Sequence, residues 1–458
     1  MSDADPDPLG VDPEEMRRLG YWVVDQVVDH MSGIGDGPAL RTGTPDHLLA
    51  LLGGPVPTDP GDPQAAMATL VEVALATMQH TDHPRFFTRV PGPSSYPAVL
   101  GEWLGTGFQA IAASWGGGAG PTTVELVVLD WLRTLLGFPD GTAGVLLSGG
   151  SMANLTGLMA ARHEIGDGVV YLSDQTHSSI GRGLAATGFA ETRLLPTGDR
   201  LRLGVDAVRR AVADDRTAGL RPAIVVATAG TTNTGAVDPL PELADLCADE
   251  GLWLHVDGAY GAPAALTPFG RSALAGLERA DSVVLDPHKW LFQPYDVGVL
   301  LVRRPGVLEH AFTMNPEYLA DIVADTGEVD LRNRSLELSR RARALKLWLT
   351  FRTYGSERIS QAIGRGIASA EYVESVLAAD AAWEIVTPAQ LGIVTFARVG
   401  ASDADHAAAA AAITEDGFAA VSTTTLRDRA VLRLCTINPR TTEADLEETL
   451  SRLAALID

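Results

Sequence analysis

The sequence predicts an α/β fold built on a mostly parallel central sheet, with an N-terminal helical arm and a small α+β C-terminal domain. Three features carry that reading: short β-branched apolar runs from about residue 143 onward, helical stretches between them, and a mixed strand and helix pattern near the C-terminus. The apolar runs lack strict alternation, as strands covered on both faces do. Helices between such strands supply the crossovers that parallel pairing needs.

Residues 1–88 are expected to form the arm. PEEMRRLGYWVVDQVVDHM places Leu19, Trp22, Val23, Gln26 and Val27 on one side of a helix, an apolar face that calls for a partner surface. A Pro/Gly-rich stretch at 53–63 separates it from QAAMATLVEVALATMQH, a second helical pattern. Residues 89–362 form the expected large domain, with strands in GVLLS, VVYLS, AIVVAT, LWLHVD, SVVLD and GVLLVR, and a helix in SMANLTGLMAARHE. Residues 306–334 break the rhythm and read as a long loop. The helix SLELSRRARALKLWLTFRTYG follows, with Gly355 as its C-cap. Residues 363–458 form the small domain, with strands in EIVT, IVTFARV and VLRLCTI and an Ala-rich helix at 407–412.

Composition narrows the function classes. The chain has 458 residues, 46% hydrophobic and 20% charged, which is the profile of a globular protein. Its 35 basic and 58 acidic residues give a net charge of -23, which repels nucleic acid and anionic lipid. Neither is expected as a partner. Cys247 and Cys435 are the only cysteines and stand far apart in apolar contexts, so they read as buried thiols rather than a disulfide or metal framework. No metal site is expected. The N-terminal MSDADPDPLGVDPEE has no apolar core of a signal peptide, and no run reaches bilayer length, so a cytoplasmic location is expected.

The chemistry is read from strand ends. Lys289 and Lys346 are the only lysines, and only a lysine can form an imine with an aldehyde cofactor. Lys346 sits in a basic helical stretch and reads as an ordinary solvated or interface cation. Lys289 instead follows SVVLDPH, where a buried strand ends and exposes His288, Lys289 and Trp290 in a loop. Asp257 ends the run LWLHVD beside Gly258 and Ala259, small residues that leave room for a flat ring, and a carboxylate there needs a cationic partner. GVLLSGGSMANL puts Gly150 and Ser151 at a Gly-Gly turn entering a helix, a cradle suited to phosphate. His177 in YLSDQTHSSI is placed to stack on a ring or carry a proton. Thr231 and Thr232 follow another strand end, where simple turn chemistry explains them equally well.

These segments, with HPRFF at 83–87, SDQTHSS at 173–179, ATAGTT, HVDGAYG and DPHKW at 286–290, occur in an order that resembles the pyridoxal-5'-phosphate (PLP) dependent group II amino-acid decarboxylases, the aromatic-L-amino-acid decarboxylase-like enzymes among them. The resemblance runs from about residue 15 to the end. It implies fold type I, like aspartate aminotransferase, PLP as cofactor, and a homodimer with its active site at the interface. It implies that Lys289 carries PLP as a Schiff base, that Asp257 pairs with the pyridinium nitrogen, and that His177 stacks on the ring with Ala259 opposite. Gly150, Ser151 and His288 fall where the family binds phosphate, and Thr232 where a threonine approaches cofactor and substrate. Tyr318 matches the tyrosine that returns a proton after carbon dioxide leaves, which implies decarboxylation of an L-amino acid to its amine.

Two departures from the family bear on this. Gly258 replaces a usual alanine, which is expected only to loosen the turn. Arg89 stands in a stretch that lines the substrate pocket of relatives, where it points to an acidic substrate such as glutamate or aspartate. Trp115, in ASWGGGAGPTTVELVVLDW, matches the aromatic branch at the pocket mouth, and an aromatic substrate is the reading adopted. The alternatives are the acidic-substrate decarboxylase, a PLP-dependent aldehyde synthase or other lyase on the same fold, and an inactive binding relative. A nucleotide enzyme lacks support, because no G-x-G-x-x-G or Walker pattern is present.

Overall fold

The structure is a computed structural model that describes residues 7–189, 191–314 and 327–458. Its larger sheet has seven strands: β1 (Ala143–Leu147), β2 (Val169–Ser173), β3 (Glu191–Leu195), β4 (Pro222–Thr228), β5 (Trp253–Asp257), β6 (Ser282–Leu285) and β7 (Gly298–Val302). Their spatial order is β1-β7-β6-β5-β4-β2-β3. Pairing is parallel from β6 through β5, β4 and β2 to β3, and β7 runs antiparallel to both of its neighbours. This is the mostly parallel α/β sheet of fold type I.

The sheet separates two apolar layers because successive residues of a strand face opposite ways. Leu146, Val225 and Ala227 belong to one layer, and Val145, Leu147, Ile224 and Val226 to the other. The helix Gly150–Ile165 packs on the second of these faces, across β1, β7, β6 and β5. β3 has the burial of an edge strand, with only partial cover.

A second sheet, antiparallel, is ordered β10-β11-β9-β8. It comprises β8 (Trp383–Gln390), β9 (Ile393–Arg398), β10 (Ser422–Leu426) and β11 (Arg429–Cys435), covered by helices Asp403–Glu415 and Glu443–Ile457. The helical segment Ala344–Ala378 joins the two sheets; it is two helices that meet at a kink at Gly355, whose φ of 70° ends the first of them as expected. The boundary expected at 362/363 falls inside this segment. The segment read as one loop at 306–334 includes a helix, Val307–Phe312, and residues 315–326 lie outside the described residues.

The N-terminal helix Pro13–Gly33 is capped by Asp12 and buries no residue against the rest of the chain. No helix among the described residues is long and apolar enough to cross a membrane. Cys247 and Cys435 are buried thiols, as expected. Lys346 is a correction: it is 1% exposed, not solvated. Burial pushes it down to about 7, yet its nitrogen lies 2.9 Å from Glu102 Oε2, 2.9 Å from the Pro294 carbonyl and 3.0 Å from the Asp296 carbonyl. Three acceptors match the three donors of an ammonium, so the charged form is the one this pocket holds.

Candidate active site

Four strand ends and one helix start converge on a cavity of about 290 Å³. Gly150 and Ser151 enter it from the turn after β1, His177 from the turn after β2, and Thr232 from the turn after β4. Asp257 and Ala259 come from the end of β5, His288 and Lys289 from the end of β6. Eight residues singled out in the sequence therefore line one space. Parallel strands make this possible, because their carboxyl ends all open on the same side.

Lys289 is held by a residue three positions earlier. Its nitrogen lies 2.8 Å from Asp286 Oδ2, and Asp286 is 2% exposed. Burial acts to lower the ammonium's pKa, but Asp286 and then Asp257 outweigh it and leave the pKa raised. The other oxygen of Asp286 is buried and has no hydrogen-bond partner. His288 accepts the Val297 N–H at Nδ1, 3.2 Å away, which turns Nε2 towards Asp286, 3.7 Å off. Burial lowers the pKa of this imidazole, which favours its neutral form.

Asp257 ends a network whose direction can be read from its donors. Trp253 Nε1 can only donate, and it does so to Ser282 Oγ at 2.9 Å. The Ser282 hydrogen then goes to His255 Nδ1 at 2.8 Å, leaving the imidazole proton on Nε2, 3.0 Å from Asn154 Oδ1. That fixes the Asn154 amide, whose nitrogen donates to Asp257 Oδ2 and to Ser179 Oγ, each at 3.0 Å. The second oxygen of Asp257 accepts the Ala259 N–H at 3.1 Å. Ser179 in turn offers both its N–H, at 3.2 Å, and its hydroxyl, at 2.8 Å, to His177 Nδ1. Nδ1 is thus an acceptor, and the His177 proton sits on Nε2. Burial pushes His255 down to about 4, so the network runs through a neutral imidazole.

The helix that carries Asn154 can approach this closely because it begins with Gly150. A Cβ there would stand 2.7 Å from Asp286 Oδ2 and 3.1 Å from the Ala259 methyl group. Gly258 corrects an expectation. Far from only loosening the turn, a Cβ at 258 would meet Ala262 Cβ at 2.7 Å and the Val284 carbonyl at 3.0 Å. The glycine is what lets the β5 turn close.

Other sequence candidates lie elsewhere. Arg89 is exposed, has φ 50° and bonds to Gln79 Oε1. Trp115 starts the helix Trp115–Leu135, and its N–H donates to Asp330 Oδ1 at 2.9 Å. Neither is among the described residues lining the cavity. Tyr318 lies outside the described residues.

Sequence reasoning missed Asn154, Ser179, His255 and Asp286, although Asp286 at Lys289 minus three and His255 at Asp257 minus two are helical and strand spacings. It also missed Arg433. This guanidinium is 3% exposed and donates from Nε to the Thr232 carbonyl at 2.9 Å, while both Nη atoms are buried without a hydrogen-bond partner. A buried cation with two unpaired donor groups calls for an anion.

The cavity fits PLP on its own chemistry. A helix start with no room for a side chain suits phosphate, a half-buried amine suits the aldehyde, and a buried carboxylate suits a ring cation. Comparison with known proteins agrees. A family described as the pyridoxal-dependent decarboxylase conserved domain matches residues 45–399. An aromatic-L-amino-acid decarboxylase of Bacillus atrophaeus is 44% identical over 98% of this chain and 97% of its own. The Oryza sativa TDC structure with PLP and tryptamine superposes with a TM-score of 0.92 at 30% identity, covering 98% of this chain and 99% of that one. Catharanthus roseus tryptophan decarboxylase in complex with L-tryptophan gives 0.91 at 28% identity, over 98% and 99%. With cavity, sheet and sequence in agreement, this chain belongs to the pyridoxal-dependent decarboxylase family.

Proposed function

We propose that the chain removes carbon dioxide from an aromatic L-amino acid and releases the amine, with PLP held in the cavity by Lys289. The carrying observation is that Lys289, Asp257, His177 and the Gly150–Ser151 turn, far apart in sequence, line one buried space. Bound PLP supplies an aldehyde that condenses with an amine and a protonated ring that accepts the electron pair of a breaking bond.

Each remaining task falls to a residue of the chain. Asp257, oriented by Asn154, would keep the ring nitrogen protonated. His177 and Ala259 would flank the ring, and Gly150, Ser151 and His288 would hold the phosphate. Thr232 approaches both cofactor and substrate. Asp286 stabilises Lys289 as an ammonium whenever its amine is released. Arg433 receives the substrate carboxylate and sets the direction of the bond to be broken. Tyr318 returns a proton to the α-carbon.

The aromatic assignment is supported by the likeness to the Bacillus atrophaeus enzyme and to the two plant structures. The acidic alternative rests on Arg89, whose side chain is exposed and engaged with Gln79. Arg89 and Trp115 are assigned to the substrate wall only in a dimer, where a second subunit completes the mouth. A homodimer is supported by the N-terminal helix, which buries none of its residues in the single chain. We retain the division into an arm at 1–88, a large domain at 89–362 and a small one at 363–458, and a cytoplasmic location, as parts of this reading. The test is a panel of tryptophan, tyrosine, phenylalanine, glutamate and aspartate with products identified by mass spectrometry. Amine and carbon dioxide from an aromatic substrate are expected. Aldehyde with ammonia, or turnover of glutamate alone, overturns the assignment.

A further inference from the structure

Outside the cavity, a second group of chemically capable side chains meets where the N-terminal helix crosses the body of the chain. His30 stands in the last turn of the helix Pro13–Gly33, and His80 and Asp82 in the turn that precedes His83–Phe87. One ligand atom from each of the three lies within 4.8 Å of the others. His30 Nε2 is 3.3 Å from Asp82 Oδ2, and the two imidazole rings stand 5.5 Å apart with their planes at 44°. His80 Nδ1 is sealed from solvent and has no hydrogen-bond partner.

We propose that His30, His80 and Asp82 bind one divalent ion of the zinc class and so pin the N-terminal helix to the body of the protein. Two neutral imidazoles and one carboxylate are the ligand types preferred by zinc and its first-row neighbours, at about 2.0–2.2 Å each. Calcium and magnesium prefer all-oxygen shells. Arg440 reaches the Met31 and Ser94 carbonyls beside the cluster. His80 Nδ1, buried and without a hydrogen-bond partner, is the ring nitrogen such an ion would satisfy.

The site also answers a mechanical question. The helix buries none of its residues in the single chain, so its own subunit holds it with little apolar packing. A metal closed across residues 30, 80 and 82 ties that helix to the turn preceding Phe86 and Phe87, both buried. Spacing alone gives no warning of the site, because one of its three ligands lies on another element.

The experiment is calorimetric titration of the holoenzyme with zinc chloride, beside His30→Ala and His80→Ala. His30 is exposed and its variant is expected to fold; circular dichroism checks both. The free thiols are buried and do not compete. One saturable ion per chain is expected, weakened at least about tenfold in each variant, with calcium giving no such binding. If His80→Ala fails to fold, His30→Ala decides alone. No saturable zinc binding by the native protein, or unchanged binding in the folded variants, overturns the site. Because PLP chemistry is not read in this titration, its failure leaves the decarboxylase assignment intact.

Discussion

Replacing Asn154 with alanine tests the network that holds the Asp257 carboxylate. The substitution removes the donor to Asp257 Oδ2 at 3.0 Å and leaves the His255 Nε2–H without its acceptor. A hydrogen bond to an ionised acceptor contributes about 1.5–3 kcal/mol. The same energy, if expressed in the transition state, lowers kcat/KM by roughly tenfold to a hundredfold. The assay is kcat/KM for the preferred substrate with PLP in excess, beside cofactor affinity and circular dichroism. The rate should fall by that factor, and cofactor affinity should weaken. A folded variant whose rate and cofactor affinity are within about twofold of the native values would show that Asn154 does not act through Asp257.

Four further outcomes follow from the geometry. Lys289→Ala should remove the visible absorbance of bound cofactor and lower turnover by orders of magnitude; retained turnover contradicts the assignment of the amine. Arg433→Leu should raise KM by roughly tenfold to a hundredfold with little loss of stability, since it trades two unpaired buried donor groups for an apolar side chain. A fall in stability without a change in KM would make it structural. Gly258→Ala should cost about 1–3 kcal/mol in urea unfolding, and adding Ala262→Gly should recover part of it, because the two Cβ atoms would stand 2.7 Å apart. Independent, additive effects would sink that account. His255, ordinarily near 6.5, is held near 4, so the unfolded chain binds a proton first as pH falls. Stability should decline between about pH 6.5 and 4, and His255→Gln should flatten that slope; an unchanged slope removes His255 from the acid response.

The fold was legible where burial made it so. Strands β1, β2, β4, β5, β6 and β7 are continuous apolar runs, because both of their faces are covered. β3, with the sequence ETRLL, and β10, with STTTL, went unread since each is only partly covered and carries polar residues. Lys346 was misread for a related reason. Its neighbours in the helix are basic, but its own position faces the crossing with Gly101, where a Cβ would stand 2.5 Å from the Lys346 Cα. Sequence shows the charges along a helix and not which of them a second helix covers.

The site divides along a physical line that explains what could be read and what could not. The residues proposed to handle the cofactor sit at strand ends that open on one side of the sheet, so each reaches the same cavity although β1 and β2 lie far apart in the strand order. Asn154, His255 and Ser282 support them from a helix and two strands, and no local pattern joins an amide to an imidazole 101 residues away. Arg433 comes from a different sheet altogether. It is recognisable only once its burial and its two unpartnered Nη atoms are seen. The substrate wall is less legible again, because Arg89 and Trp115 stand away from the cavity in the single chain. Chemistry common to every substrate is therefore encoded by a rigid, continuous framework. Discrimination between substrates depends on surfaces that come together across separate elements, which is why an arginine at 89 pointed to a substrate without settling it.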